Sequence, residues 1–99
     1  MDKLTNFGNK LKEILIREGV IEELWNKSVE EAKNEMEDDW DLMETAKNGF
    51  QDLLIEYTYD WIDENITNET AKALIEEAVN DVDFEDIVNA LIIEKHLEV

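Results

Sequence analysis

Apolar residues recur at intervals of three and four positions along almost the whole chain. That interval matches the turn of an α-helix and not the two-residue alternation of a strand. The 99 residues include no proline and only three glycines, so few positions interrupt a helix. A chain of this length forms one domain around a single core. We therefore predict an all-α fold: one acidic helical domain over residues 1–99, a small bundle of four to five helices.

Glycines and capping residues predict where the first three helices begin and end. The first helix should end near Gly19, and the second should begin at about residue 20. Asp38 or Asp39 is the expected N-cap of the third helix, and Asn65 should end it. Gly49 lies inside this third helix, where glycine is about 1 kcal/mol less favourable than alanine. A kink or break is therefore expected at Gly49.

The apolar stripes predict which side chains enter the core. On the third helix the stripe alternates steps of three and four, with one polar break, and consists of Trp40, Met43, Lys47, Phe50, Leu54, Tyr57 and Trp61. Both tryptophans of this stripe are expected in the core. Thr67 and Asp83 are the expected N-caps of two further helices. The apolar positions of the first of these are Ala71, Leu74, Ile75, Ala78 and Val79.

The charge of the chain is unusual in size and in distribution. There are 27 acidic residues against nine basic residues, which gives a net charge of −18. Residues 1–33 carry seven acids and six bases, whereas residues 34–99 carry 20 acids and three lysines. A net charge of magnitude about 2–8 satisfies the solubility of a small domain, and further like charge opposes a compact state. The excess on the last two thirds of the chain therefore indicates a role beyond solubility.

Motifs for catalysis or metal binding are missing from the sequence. There is no cysteine, and the one histidine, His96, has Ile93 where a di-iron Glu-x-x-His pair requires glutamate. The acidic run from Asp81 fails as a calcium loop, because Asp86 replaces its glycine and Ile92 replaces its final glutamate. We expect no enzymatic activity, no cofactor and no resident metal ion.

The strong negative charge also limits the partners. Nucleic acid and anionic membranes both require positive charge, so direct binding to either is not expected. No apolar run is long enough for a membrane span or a signal peptide, and we expect a cytoplasmic protein.

Like-charged residues four apart should form carboxylate rows on helix surfaces, because i and i+4 side chains are neighbours. Each such pair destabilises a helix by about 0.2–0.5 kcal/mol, so a sequence selected only for folding would place lysines there. Rows of carboxylates can take the places of phosphates on a cationic protein surface. The predicted partner-binding residues are Glu35, Glu37, Asp38, Asp39, Asp41, Glu44, Asp52, Glu56, Asp60, Asp63, Glu64, Glu76 and Glu77.

Two stretches combine acids with aromatic and aliphatic residues: EMEDDWDLME at 35–44 and VDFEDIVNAL at 82–91. The chain resembles the acidic DNA-mimic inhibitors made by phages and mobile elements. Anti-restriction and anti-CRISPR proteins are examples. The resemblance is in size, in charge and in this style of sequence, and it covers mostly residues 34–99. The resemblance implies a protein that occupies the basic nucleic-acid channel of a CRISPR effector or restriction enzyme and blocks its substrate. It would act in the cytoplasm of an infected bacterium.

The alternative is a non-enzymatic helical adaptor or dimer. In that case an apolar helix face formed by Trp25, Met36 and Met43 would bind a partner helix. Under the first hypothesis a homodimer would instead lengthen the anionic surface. Salt dependence separates the two hypotheses, because apolar binding is insensitive to ionic strength.

Overall fold

The computed structural model describes residues 6–35 and 41–98, and these residues form α-helices without any strand. The helices are α1 (Asn6–Glu18), α2 (Ile21–Glu35), α3 (Leu42–Asn65), α4 (Glu69–Asn80) and α5 (Phe84–Lys95). The all-α prediction is confirmed, with five helices in the described part of the chain. No helix within that part is both long and apolar enough to cross a membrane.

Three of the predicted helix ends are confirmed. Gly19 follows α1 with a φ of 73°, the left-handed conformation that glycine adopts at helix ends. Asn65 is the last residue of α3. The side chain of Asp83 accepts a hydrogen bond from the Glu85 amide at 3.0 Å and caps α5. α3 begins at Leu42 with Asp41 at the N-cap position, so the predicted N-cap at Asp38 or Asp39 is wrong, and those two residues themselves lie outside the described residues.

The predicted N-cap of α4 is wrong by one residue. Asn68, not Thr67, is the cap, and its Oδ1 accepts from the Ala71 amide at 2.9 Å. Both side chains carry an oxygen that can accept this bond, but asparagine is the stronger capping residue.

Helices α2 and α3 form a closely packed hairpin. The ring of Trp25 meets that of Phe50 edge to face, with centroids 5.3 Å apart. Gly49 faces α2, and a Cβ at this position would lie 3.5 Å from the Ser28 Cβ. Ser28 donates its hydroxyl to the Trp25 carbonyl, so its polar atom is satisfied inside the interface. The predicted break at Gly49 is wrong, because α3 continues through it. Small side chains here allow the helices to approach.

The buried side of α3 is a row of residues at four-residue spacing: Leu42, Ala46, Phe50, Leu54, Thr58 and Ile62. Each four-residue step rotates the row by about 40°, so it winds roughly 200° around the helix. α3 contacts α2, α4 and α5, and a winding row can face neighbours on different sides. The predicted stripe matches this row at Phe50 and Leu54. Its member Trp61 is only half-buried, with the neighbouring Ile62 in the core.

The remaining helices complete the core from the other side. α5 contributes Phe84, Ile87, Val88 and Leu91. Trp25 donates its indole N–H to the Glu98 carbonyl at 2.9 Å, which attaches the segment after α5 to α2. Lys12 of α1 pairs with Glu94 of α5 at 3.0 Å. In α4 only Val79 is buried, and Leu74, predicted on the apolar stripe, is 65% exposed because α4 packs on α3 through a narrow face.

Candidate partner-binding surface

Four of the predicted carboxylates form a continuous row along α3, which we call the acidic row: Asp52, Glu56, Asp60 and Glu64. All four are exposed, and they recur every four residues. They are offset by two positions from the buried row, which places them on the opposite side of the helix, about 200° away. The row extends over 12 residue steps, from Asp52 to Glu64, and is therefore about 18 Å long. Since its backbone belongs to the helix that carries the core, the row is held on a packed scaffold.

The acidic row is not neutralised by the described lysines and arginines. Within the described residues, none of its four carboxylates forms an ion pair, whereas two other predicted site residues do. Asp63 lies 3.1 Å from the Lys72 Nζ, and Glu44 lies 4.0 Å from the Lys47 Nζ. The predicted residues of α3 thus fall into two groups: the acidic row, which has no ion pair among the described residues, and Glu44 and Asp63, which are partly neutralised by lysines.

The C-terminal end of α3 is an unfavourable place for negative charge. The last turn of this helix contains Asp63 and Glu64 and no basic residue. The helix dipole places partial negative charge at the same end, and each such carboxylate destabilises by about 0.3–1 kcal/mol at an exposed site. Charge is therefore present where helix formation alone disfavours it.

Negative charge continues from α3 onto α2. Glu31 and Glu35 of α2 line one groove together with Asp52, the first member of the acidic row. This groove has a volume of about 300 Å³. Glu31 was not among the predicted site residues, because the near-neutral balance of residues 1–33 concealed it. Its four-residue spacing from Glu35 was the available signal.

The other predicted carboxylates are placed less informatively. Asp41 is exposed and precedes α3 without a side-chain capping bond. Glu76 is half-buried and Glu77 is exposed, both on α4. Glu37, Asp38 and Asp39 lie outside the described residues. Across the residues that the structure does describe, no group of three potential ligands is arranged to hold a metal ion.

A second surface feature is an apolar groove between α1, α3 and α4, with a volume of about 240 Å³. Its walls include Phe7 and Ile14 of α1, Tyr57 and Trp61 of α3, and Ile75 of α4. Phe7 is 38% exposed. The sequence did not predict this groove. The apolar stripe placed Trp61 in the core, and the sequence does not show that α1 and α4 lie on either side of Trp61.

Carboxylates lie at the rim of this apolar groove. Tyr57 donates its hydroxyl to Glu18 Oε1 at 3.2 Å. Burial raises the pKa of Tyr57 above its ordinary value, and the hydrogen bond to Glu18 and the charges of Glu18 and Glu64 raise it further. The charge of Glu64, a member of the acidic row, therefore acts on a residue that lines the groove. The groove also contains Thr58, whose hydroxyl donates to the Leu54 carbonyl at 2.7 Å and is satisfied within α3.

The apolar adaptor face predicted from the sequence is not present in that form. Trp25 is 2% exposed and packs within the core, so it is not available to a partner helix. Met43 is partly buried against the same core. Met36 lies outside the described residues.

Comparisons with known protein families, with curated proteins and with solved structures find no match to this chain.

Proposed function

We propose that this protein is a non-enzymatic inhibitor that mimics DNA. Its acidic surface would occupy the basic nucleic-acid channel of a host defence nuclease, such as a CRISPR effector or a restriction enzyme, and exclude the substrate. The observation that carries the proposal is the acidic row: four exposed carboxylates on one side of the longest described helix, none of them in an ion pair with another described residue. The resemblance in charge and sequence style to phage-borne DNA mimics supports the same function.

Energetics supports a role in binding over a role in folding. The row contains three successive like-charged i, i+4 pairs, which together destabilise α3 by about 0.6–1.5 kcal/mol. Glu64 adds an unfavourable interaction with the helix dipole. Domains of this kind are stable by roughly 5–15 kcal/mol, so this is a noticeable fraction of the total. Such a surface is expected where a cationic partner compensates the repulsion.

The spacing of the row is comparable with, but coarser than, that of DNA. Successive carboxylates advance about 6 Å along the axis of α3, whereas one strand of duplex DNA carries a phosphate about every 3.4 Å. One row therefore supplies about half the linear charge density of a strand. Glu31 and Glu35, which share a groove with Asp52, extend the negative surface onto a second helix. We propose that the two helices together form the mimicking surface.

The test is capture of partners from a bacterial lysate at low salt, followed by elution with duplex DNA. We expect the captured proteins to be nucleic-acid-binding proteins that DNA releases, because the two ligands compete for one basic channel. A captured nuclease is then purified, and its binding to labelled duplex DNA is measured with and without the inhibitor over a series of salt concentrations. The affinity of the inhibitor for the nuclease should fall steeply as salt increases.

Two results would contradict the proposal. Partners that remain bound in excess DNA would show that the acidic surface does not use a nucleic-acid channel. Affinity that does not change with ionic strength would instead favour an adaptor that binds through apolar contacts.

A further inference from the structure

The apolar groove is a feature of the surface that the acidic row does not explain. Its exposed walls are almost entirely apolar, and the hydroxyl of Thr58, which also lines it, is bonded within its own helix. Ile14 contributes to a wall of the groove and is half-exposed. A cavity of about 240 Å³ is larger than the roughly 150 Å³ at which an engineered apolar cavity already accepts a benzene ring. The groove is therefore large enough for an aromatic or long aliphatic side chain.

The charges around the groove select the kind of group that can enter it. Glu18 of α1 accepts a hydrogen bond from the Tyr57 hydroxyl at 3.2 Å, and the negative charge of Glu64 on α3 also acts on this hydroxyl. Lys10 also lines the groove, but its side chain is 78% exposed and its Nζ lies 3.6 Å from the Glu13 carboxylate. An apolar group that carries positive charge beside it can bury the apolar part and pair with the carboxylates at the rim.

We propose that the groove is the anchor site for the partner: it receives one aromatic or long aliphatic side chain that is flanked by lysine or arginine on the partner's basic surface. This inference rests on the proposed function and specifies how the partner is held. Electrostatic attraction along the acidic row accelerates association, and burial of the anchor slows dissociation.

Two other occupants are disfavoured by charge. A second copy of this chain would also have a net charge of −18 and would be repelled. An anionic amphiphile, such as a fatty acid, would bring its carboxylate towards Glu18 and Glu64. An apolar side chain of the partner fits the apolar walls of the groove, and lysine or arginine beside it can pair with the carboxylates at the rim.

The test uses four synthetic peptides as probes. One is lysine-rich with a central phenylalanine, the second has serine in place of that phenylalanine, and two glutamine-rich counterparts lack the positive charge. Binding to the full chain is measured by isothermal titration calorimetry at low and at moderate salt. We expect the lysine-rich phenylalanine peptide to bind at least about tenfold more tightly than its serine counterpart, which corresponds to about 1.4 kcal/mol. Both neutral peptides should bind far more weakly.

Variants that fill the groove test whether the preference for the phenylalanine peptide comes from binding in the groove. Ile14→Trp fills the groove from α1 and should abolish the preference for phenylalanine while retaining the affinity for the serine peptide. Ile75→Trp fills it from α4 and gives an independent check. Ile93→Trp is the matched control, because Ile93 is an exposed isoleucine of α5 that does not line the groove. The control should retain the preference. Circular dichroism and thermal unfolding identify any variant that has lost its fold.

The outcomes separate this inference from the proposed function. If both lysine-rich peptides bind equally and with strong salt dependence, the anchor proposal is wrong and the acidic mimic stands. Phenylalanine preference that survives both filling variants would also overturn the anchor site. Equally tight binding of the neutral phenylalanine peptide would show that the rim charges have no part. Failure of both lysine-rich peptides to bind at low salt would count against the proposed function itself.

Discussion

Neutralising the acidic row should make the protein more stable and less active at the same time. The variant is Asp52→Asn, Glu56→Gln, Asp60→Asn and Glu64→Gln together, which preserves side-chain size and removes four charges. It removes three like-charged i, i+4 pairs, each worth about 0.2–0.5 kcal/mol, and one unfavourable dipole interaction of about 0.3–1 kcal/mol. The free energy of unfolding should therefore increase by about 1–2.5 kcal/mol. For a domain of this size each kcal/mol raises the melting temperature by roughly 4–8 °C.

The matched control removes the same number of charges from places where helices favour them. Glu22, Glu23, Glu69 and Glu85 lie in the first turns of α2, α4 and α5, and all four are exposed. Changing these four residues to glutamine changes the net charge equally, from −18 to −14, but removes favourable dipole interactions of about 0.3–1 kcal/mol each. Relief of the overall repulsion is the same in both variants. The difference between them therefore isolates the position of the charges.

Urea unfolding at low salt measures stability, and competition with labelled duplex DNA for a captured nuclease measures function. We expect the row variant to gain stability and lose most of its inhibition, mainly through slower association. The control should lose stability and retain inhibition. Equal loss of inhibition in both would show that total charge matters and the row does not. If the row variant is less stable than the parent protein, the four carboxylates stabilise the fold, and the conclusion that they repel one another without a structural role is wrong.

Three further predictions test the scaffold and the groove. Gly49→Ala should increase the free energy of unfolding by about 0.5–1 kcal/mol in urea, because the new Cβ meets Ser28 at an ordinary 3.5 Å and alanine favours the helix; destabilisation would show that the helices are closer than described. Trp25→Phe should lower the free energy of unfolding by about 2 kcal/mol, since it removes the bond to the Glu98 carbonyl and leaves a void; an unchanged urea midpoint would contradict this packing. Ultraviolet titration in a Tyr59→Phe background should show Tyr57 ionising above pH 10, and Glu18→Gln should lower this pKa. A pKa that does not respond to Glu18→Gln would place the hydroxyl elsewhere.

The sign of the Tyr57 effect on stability follows from its raised pKa. In the unfolded chain the phenol ionises near pH 10, whereas in the folded protein it ionises at higher pH. The contribution of this residue to stability is therefore fully present below about pH 10 and is lost as the pH rises through the folded pKa. Tyr57 should therefore not make the free energy of unfolding depend on pH near neutrality.

The local part of the fold could be predicted from the sequence, and the reason is chemical. Gly19 adopts the left-handed conformation that ends helices, and Asp83 has the short carboxylate that caps them. Such signals act within a few residues. The error at α4 is of the same local kind, since Thr67 and Asn68 are adjacent and both can cap.

The core positions of α3 could be predicted only at its centre. A stripe that alternates steps of three and four averages 3.5 residues, whereas the buried row advances by four. The two agree at Phe50 and Leu54 and separate towards both ends, which is why Trp61 was placed in the core instead of Ile62. The buried row winds by about 40° at each four-residue step, and α3 contacts three other helices along its length. A single sequence does not contain the identity of those neighbours.

One helix, α3, carries both the acidic row and one wall of the apolar groove. At the C-terminal end of α3, Tyr57 and Trp61 lie beside the buried row and line the groove, while Glu64 completes the acidic row and its charge acts on the Tyr57 hydroxyl. A partner that pairs with the acidic row would thus have an apolar site next to the same contact. Because one helix positions both features, a substitution that moves the end of α3 should change charge pairing and anchor binding together. Asn65→Pro would disturb this end of the helix, and it should reduce both the salt-dependent affinity for the lysine-rich serine peptide and the preference for phenylalanine. Loss of only one of the two would show that the features act as separate sites.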